Sequence, residues 1–321
     1  MSKLQNRLFW CVLTMLFVFM VLPMNARAAG VIDTDRDVTF SVTYENGGVV
    51  IDNAKFDIYK VADVNAYGQT TLVSAFAGYP IETEGLDADG WNDLALTLKG
   101  YAQKDSLEPE VTCTTDAKGK WSVTLKPGLY LVVGTRRTVG ENTYSAAPFM
   151  AFLPGLNETE NTWNYAVEAL PKSTGESNPA DDPDDKRITR KVLKVWEDEG
   201  NKDQRPQKVV VQLMCDGKEY DTVTLDASNN WRWAWDNLEY DHDWLVVEEE
   251  TEKYTTVIAQ NGITFTVTNT YETDSAGKPS SSTSETKLPQ TGLLWWPVVF
   301  LSALGLILIL WGIISRRSRR G

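Results

Sequence analysis

Short runs of alternating or continuous apolar residues, bounded by turn residues, recur along most of the chain. In the first part Val38–Tyr44, Phe56–Val61, Trp121–Leu125 and Leu129–Val133 read as strands. Trp91, Leu94, Ala95, Leu98 and Ala102 break this rhythm with the spacing of one helix face, and Asp89 is the expected cap. Further on, Val192–Trp196, Lys208–Cys215, Tyr220–Leu225, Trp231–Trp235, Trp244–Glu248 and Ile263–Tyr271 read as strands. That many strands in about 85 residues predicts a small antiparallel sandwich of immunoglobulin-like type. The Cys…Trp…Cys pattern of antibody domains is missing.

Two polar runs interrupt the pattern. Residues 173–186 (STGESNPADDPDDK) are acidic and contain proline, as in an interdomain linker. Residues 272–287 are rich in Ser and Thr and read as a flexible spacer. Between and before them lie two expected all-β sandwich domains in tandem, 31–172 and 187–271.

The ends have a different character. Lys3 and Arg7, the apolar run Leu8–Leu22 and the small-x-small site Ala26-Arg27-Ala28 predict a cleaved export signal over 1–28. Residues 293–314 carry no charge and are long enough to cross a bilayer as a helix. Trp295 and Trp296 stand where an interfacial belt belongs. The tail 315–321, with Arg316, Arg317, Arg319 and Arg320, reads as the cytoplasmic stop, which puts the bulk of the chain outside.

Charge narrows the partners. The full sequence has 31 basic and 44 acidic residues. Taking away three basic residues with the signal and four with the tail leaves 24 against 44, a net charge of −20. This argues against nucleic acid and anionic membrane as partners. Cys11 leaves with the signal, so Cys113 and Cys215 remain, one in each domain: no disulfide framework. They form either a bridge between domains or, as expected here, two buried free thiols. The single histidine, His242, lies between Asp241 and Asp243 in a polar turn. With one histidine and no paired cysteines, neither a zinc site nor a Ser-His or Cys-His enzyme has support, and no cofactor is expected.

Polar residues at core positions supply the candidate chemistry. Val192, Lys194 and Trp196 share one face of a strand, as do Phe265, Val267, Asn269 and Tyr271. Either these faces are wet, or a lone lysine and a lone asparagine are buried at a cost that needs a reason.

Three resemblances give these features a frame. Leu288-Pro289-Gln290-Thr291-Gly292, followed by an apolar helix and a basic tail, is similar to the sorting signal of Gram-positive wall proteins. The resemblance implies that a sortase cysteine attacks the Thr291 carbonyl, that Gly292 leaves with the helix and tail, and that Thr291 passes to an amine. The expected partners are therefore sortase and peptidoglycan, and the expected location is the cell wall, reached through a precursor briefly held in the membrane.

Lys194-Val195-Trp196 with Glu197–Asn201 and Arg205-Pro206, then Asn230-Trp231, and finally Phe265-Thr-Val-Thr-Asn269-Thr-Tyr271, resemble the B-type (Cna B-type) repeat domain of collagen-binding surface adhesins. This resemblance implies a self-formed amide between Lys194 and Asn269, assisted by a buried acid, with Glu248 the expected one and Glu249 and Glu250 its near neighbours. A core site would lower the lysine pKa and raise that of the glutamate. The acidic loop Glu197–Asp203 lacks the spacing of an EF-hand and reads as a solvated turn.

Asn53-Ala-Lys-Phe56-Asp-Ile-Tyr59-Lys-Val61-Ala62, Pro127–Val132 and Ala147–Met150 resemble Gram-positive pilin domains. The strand Val38–Tyr44 has no lysine, so no amide crosslink is expected in the first domain. Trp163-Asn-Tyr-Ala-Val167-Glu-Ala-Leu-Pro171-Lys172 is similar to the pilin motif, with Ala169-Leu170 in place of its Val-Tyr pair. In shaft pilins that lysine accepts the threonine of the next subunit, which makes Lys172 the candidate nucleophile. The other reading is an ordinary exposed lysine after a last strand.

Taken together, the sequence predicts a structural surface protein that is not an enzyme, with other pilin subunits as partners. A monomeric wall-anchored adhesin for a host or matrix ligand is the competing reading. An exported enzyme lacks the residues it would need.

Overall fold

The computed structural model describes residues 30–157, 159–177 and 187–272. The export signal (1–28), most of the linker, the Ser/Thr-rich spacer after Glu272, the 288–292 motif, the apolar segment 293–314 and the basic tail lie outside the described residues. Among the described residues no helix is long and apolar enough to cross a membrane. Strands take up 53% of these residues and helix 10%.

In the first half the main elements are β1 (Val38–Thr43), β2 (Lys55–Val64), α1 (Ala88–Lys104), β3 (Lys120–Leu125), β4 (Gly128–Gly134), β5 (Asn142–Ala146), β6 (Phe149–Leu153), β7 (Ala166–Ala169) and β8 (Ser173–Ser177). β1 lies between β7, parallel to it, and β3, antiparallel to it. β4 joins β6 to β2. The alternation in β1 and β2 buries Val38, Phe40, Val42, Phe56 and Ile58 between these two sheets, together with Trp121, Tyr130 and Val132.

The second half comprises β9 (Arg187–Glu197), β10 (Lys208–Cys215), β11 (Lys218–Asp226), β12 (Arg232–Glu239), β13 (Trp244–Glu248), β14 (Tyr254–Asn261) and β15 (Thr264–Tyr271). One sheet has the order β12-β9-β15-β14 and the other β11-β10-β13. The first and last strands are parallel neighbours, with Lys194 opposite Val267 and Trp196 opposite Asn269. This is the sandwich that the sequence predicts, except that this one pair is parallel where antiparallel pairing is expected.

Four other details differ from expectation. The helix is capped by Asp87, whose side chain accepts from the Gly90 N–H at 2.8 Å, and Asp89 sits in the first turn. Ser173–Ser177, read as linker, pairs with β5. Trp231 precedes β12, because Asn230 and Trp231 both adopt left-handed backbone (φ 53° and 59°). β14 is a strand that the pattern does not predict: its inward positions include Thr256 and its outward ones Val257, so the apolar alternation is broken.

Both halves fall within one compact unit. α1 lays Leu94, Leu98 and Tyr101 into a single apolar cluster with Val246, Val247, Ile258 and Phe265 of the second half. Gly100 permits the approach, since a Cβ there would stand 2.9 Å from Val247 Cγ2. Along the edge strand β14, Thr256 N–H donates to the Pro80 carbonyl at 2.8 Å, and Ile258 N–H to Thr97 Oγ1 at 2.8 Å. A polar clasp completes the contact. Arg136 donates to the Tyr240 and His242 carbonyls, and Lys99 pairs with Asp243 at 2.7 Å.

Candidate functional site

Three strands bring Lys194, Glu248 and Asn269 to one point inside the second sandwich. Lys194 lies on the inward face of β9, Asn269 on that of β15, and Glu248 ends β13 on the facing sheet. The side chains of Lys194 and Glu248 are wholly excluded from solvent, with Lys194 Nζ 3.3 Å from Glu248 Oε2. Asn269, equally buried, donates from Nδ2 to Glu248 Oε1 at 2.6 Å. Lysine, acid and carboxamide therefore touch in one chamber.

The walls fix each group. Lys194 Nζ also donates to the carbonyls of Val267 and Val195, at 3.1 and 3.3 Å. The Trp196 ring covers the amine at 4.5 Å and is held edge-on by Trp231 and Tyr254. Thr251 donates to Glu248 Oε1 at 3.0 Å, and Thr256 Oγ1 donates to Asn269 Oδ1 at 3.1 Å. Of the neighbouring carboxylates, Glu249 and Glu250 are exposed.

Burial dominates the electrostatics. Loss of solvent lowers the Lys194 pKa to about 8 against the opposing pull of Glu248. The same loss raises Glu248 above the usual carboxylate range, against the opposing effect of Lys194 and of its hydrogen bonds. Each partner is thus displaced toward its neutral form. A neutral amine is a nucleophile, and a neutral carboxyl can give up a proton.

The remaining sequence-predicted residues lie elsewhere. Lys172 is exposed at the rim of a cleft of about 520 Å³ between the halves, and its carbonyl accepts from the Ala147 N–H. In the 197–203 loop, Asp198 is buried and accepts from Nε and Nη2 of Arg205. That pairing holds its carboxyl below the usual range, so the loop is stapled by an ion pair as well as solvated. Cys113 and Cys215 are free thiols, half-buried rather than buried. The donor atoms of Cys215, Asp216 and His242 lie within 4.8 Å of one another. Hydrogen bonds to Asp216 and Glu239 occupy both His242 nitrogens.

Sequence reasoning missed Thr251, Thr256 and Trp196 as walls of the chamber. Thr256 had a legible signal, a polar residue at an inward position of a broken alternation.

Residues 30–174 match the Gram-positive pilin subunit D1, N-terminal domain, and residues 190–270 match the Cna protein B-type domain. The chain is 32% identical over 143 residues to the collagen adhesin of Staphylococcus aureus, an alignment covering 35% of this chain. It spans 12% of that adhesin's length. Among solved structures, a single B repeat unit of the S. aureus collagen binding surface protein aligns at 16% identity and a TM-score of 0.26, covering 74% of this chain and 98% of that one. The full-length major pilin SpaD of Corynebacterium diphtheriae aligns at 17% identity and a TM-score of 0.29, covering 74% of this chain and 65% of that one. On the two family matches, the chain carries a Gram-positive pilin D1 domain followed by a Cna B-type domain.

Proposed function

We propose that the protein is a covalent structural subunit of the Gram-positive cell surface, cross-linked within itself and to its neighbours. The observation that carries this reading is the solvent-free contact of Lys194, Glu248 and Asn269 between the first and last strands of one domain. Neutral Lys194 Nζ attacks Asn269 Cγ, and a C–N bond forms. The C–Nδ2 bond breaks, and Nδ2 leaves as ammonia with the proton given up by the amine and carried by Glu248. Nothing turns over, so the reaction stiffens the protein and does not make it an enzyme. The two matched families are themselves structural.

Two further covalent links complete the reading. Sortase cleaves between Thr291 and Gly292, and the Thr291 acyl group passes to peptidoglycan or to an amine of another subunit. Lys172 is that amine, in keeping with its exposure and with the pilin D1 match that ends beside it. The deciding experiment is an immunoblot of wall extracts boiled in detergent, comparing the native protein with Lys172→Ala. A high-mass ladder lost in the variant supports polymerisation.

The similarity to the S. aureus collagen adhesin favours one other reading, a monomeric wall-anchored adhesin for a matrix ligand. A single band unchanged by Lys172→Ala, with saturable binding of matrix protein by the native chain, would establish that reading instead.

A further inference from the structure

The chamber is closed on one side by residues of the other half. Asn269 Oδ1 accepts from the hydroxyl of Thr256, which is 1% exposed. The backbone of Thr256 is held in turn by Pro80. Near Thr256 lies the hydroxyl of Tyr101, from α1, buried and without a hydrogen-bond partner among the described residues. The Tyr101 ring is fixed by stacking on Tyr79, with centroids 4.5 Å apart and planes within 6°. A phenol buried at an interface ordinarily finds a partner. The Thr256 hydroxyl beside it belongs to the residue that holds the reacting carboxamide.

We propose that Thr256 is the oxyanion donor of the amide-forming reaction, and that Tyr101 is a positioning residue through which the pilin D1 domain completes the reaction chamber of the Cna B-type domain. This rests on the proposed Lys194–Asn269 reaction. When Lys194 Nζ attacks Asn269 Cγ, the carbonyl π electrons move onto Oδ1. The Thr256 O–H, donating to Oδ1 in the resting arrangement, meets that charge without reorganising. Its own oxygen keeps free lone pairs, and the Tyr101 O–H is a donor within the same dry pocket. Donation from Tyr101 polarises the Thr256 O–H and strengthens its bond to the oxyanion. As the intermediate collapses, the electrons return to the carbonyl and Nδ2 departs toward Glu248, on the opposite side of the carboxamide.

The test follows ammonia loss in the full chain, by intact mass after a pulse of cell-free synthesis quenched at intervals in denaturant. Thr256→Val keeps the shape and removes the donor, and a fall in rate of about 100-fold is expected, the scale for one such donor. Thr256→Ser restores the hydroxyl and should recover most of the rate. Tyr101→Phe removes one oxygen and leaves the ring stacking, and a several-fold slowing is expected. Thr256→Val closing at the native rate overturns the oxyanion role, and Tyr101→Phe closing at the native rate overturns the contribution of the first domain. A native chain that never loses ammonia is a different failure, that of the underlying reaction.

Discussion

Lys194 faces Val267 across the parallel ladder, while Asn269 lies two residues further along, opposite Trp196. The offset is one same-face repeat of a strand, about 6.6 Å. A lysine side chain is long enough to cover it and leave its amine beneath the Trp196 ring. A planar, permanently charged guanidinium is not a substitute. Lys194→Arg should therefore abolish ammonia loss as completely as Lys194→Ala, and intact mass distinguishes either from the native chain.

The crosslink should be worth a large share of the stability of its domain. The proposed Lys194–Asn269 bond would close a loop of about 75 residues, for which the chain-entropy treatment of a covalent bridge gives about 4–5 kcal/mol. Asn269→Ala should lower the unfolding free energy by about that amount or more, since it also leaves Glu248 and Lys194 without their partner. Denaturant titration of native and variant chains would measure the difference.

The pH dependence of closure follows from the coupled pair. Neutral lysine with protonated glutamic acid contains one shared proton, the same number as the ion pair. Loading a second proton makes Lys194 cationic and removes the nucleophile. Taking the last proton away leaves Glu248 as a carboxylate with nothing to transfer. Burial lowers Lys194 to about 8 and raises Glu248, which makes the neutral form of the pair accessible between the two titration steps. The closure rate should plateau there and fall on both the acid and the alkaline side. A rate that climbs steadily into alkali would mean that Glu248 carries no proton in the reaction.

Helix α1 offers a mechanical test of the contact between domains. Alanine is normally a better helix residue than glycine by about 1 kcal/mol. At Gly100 the new methyl would meet Val247 at 2.9 Å, and overpacking of this kind costs about 1–3 kcal/mol. Gly100→Ala should give a net loss of about 1 kcal/mol at the contact. Hydrogen exchange at the Thr256 and Ile258 amides, which donate across it, should speed up while the β1 amides keep their protection.

Polymerisation carries its own prediction. Replacing Thr291 by Val should remove both wall attachment and any ladder, and Lys172→Ala should remove the ladder alone. Fractionation of the culture into medium, wall and membrane before blotting separates the two effects.

Much of this arrangement could be read in the sequence, for identifiable reasons. β10 and β13 have the ends that apolar patterning predicts, because buried strands with clear turns leave little freedom. Lys194 and Asn269 stood out because each occupies an apolar register position. Glu248 could not be separated from Glu249 and Glu250 by composition; it is the last residue of a wholly buried β13, and the other two lie exposed beyond the strand end. Thr256 and Tyr101 were not legible as a pair. They lie in different domains, and only the packing of α1 on β14 brings them together. The place of Asp87 rather than Asp89 at the helix start is a matter of one hydrogen bond, below what spacing alone resolves.

The cover over β14 has a consequence for life on a crowded surface. A sheet ends in a row of unpaired amides, and such a row invites a strand from another molecule. In this protein two of those amides, on Thr256 and Ile258, are already taken by Pro80 and Thr97 of the same chain. Many copies held side by side at high local density would otherwise offer one another ready templates for fusion of their sheets. The first half of the chain acts here as a guard, covering part of an edge on which a second copy could otherwise pair.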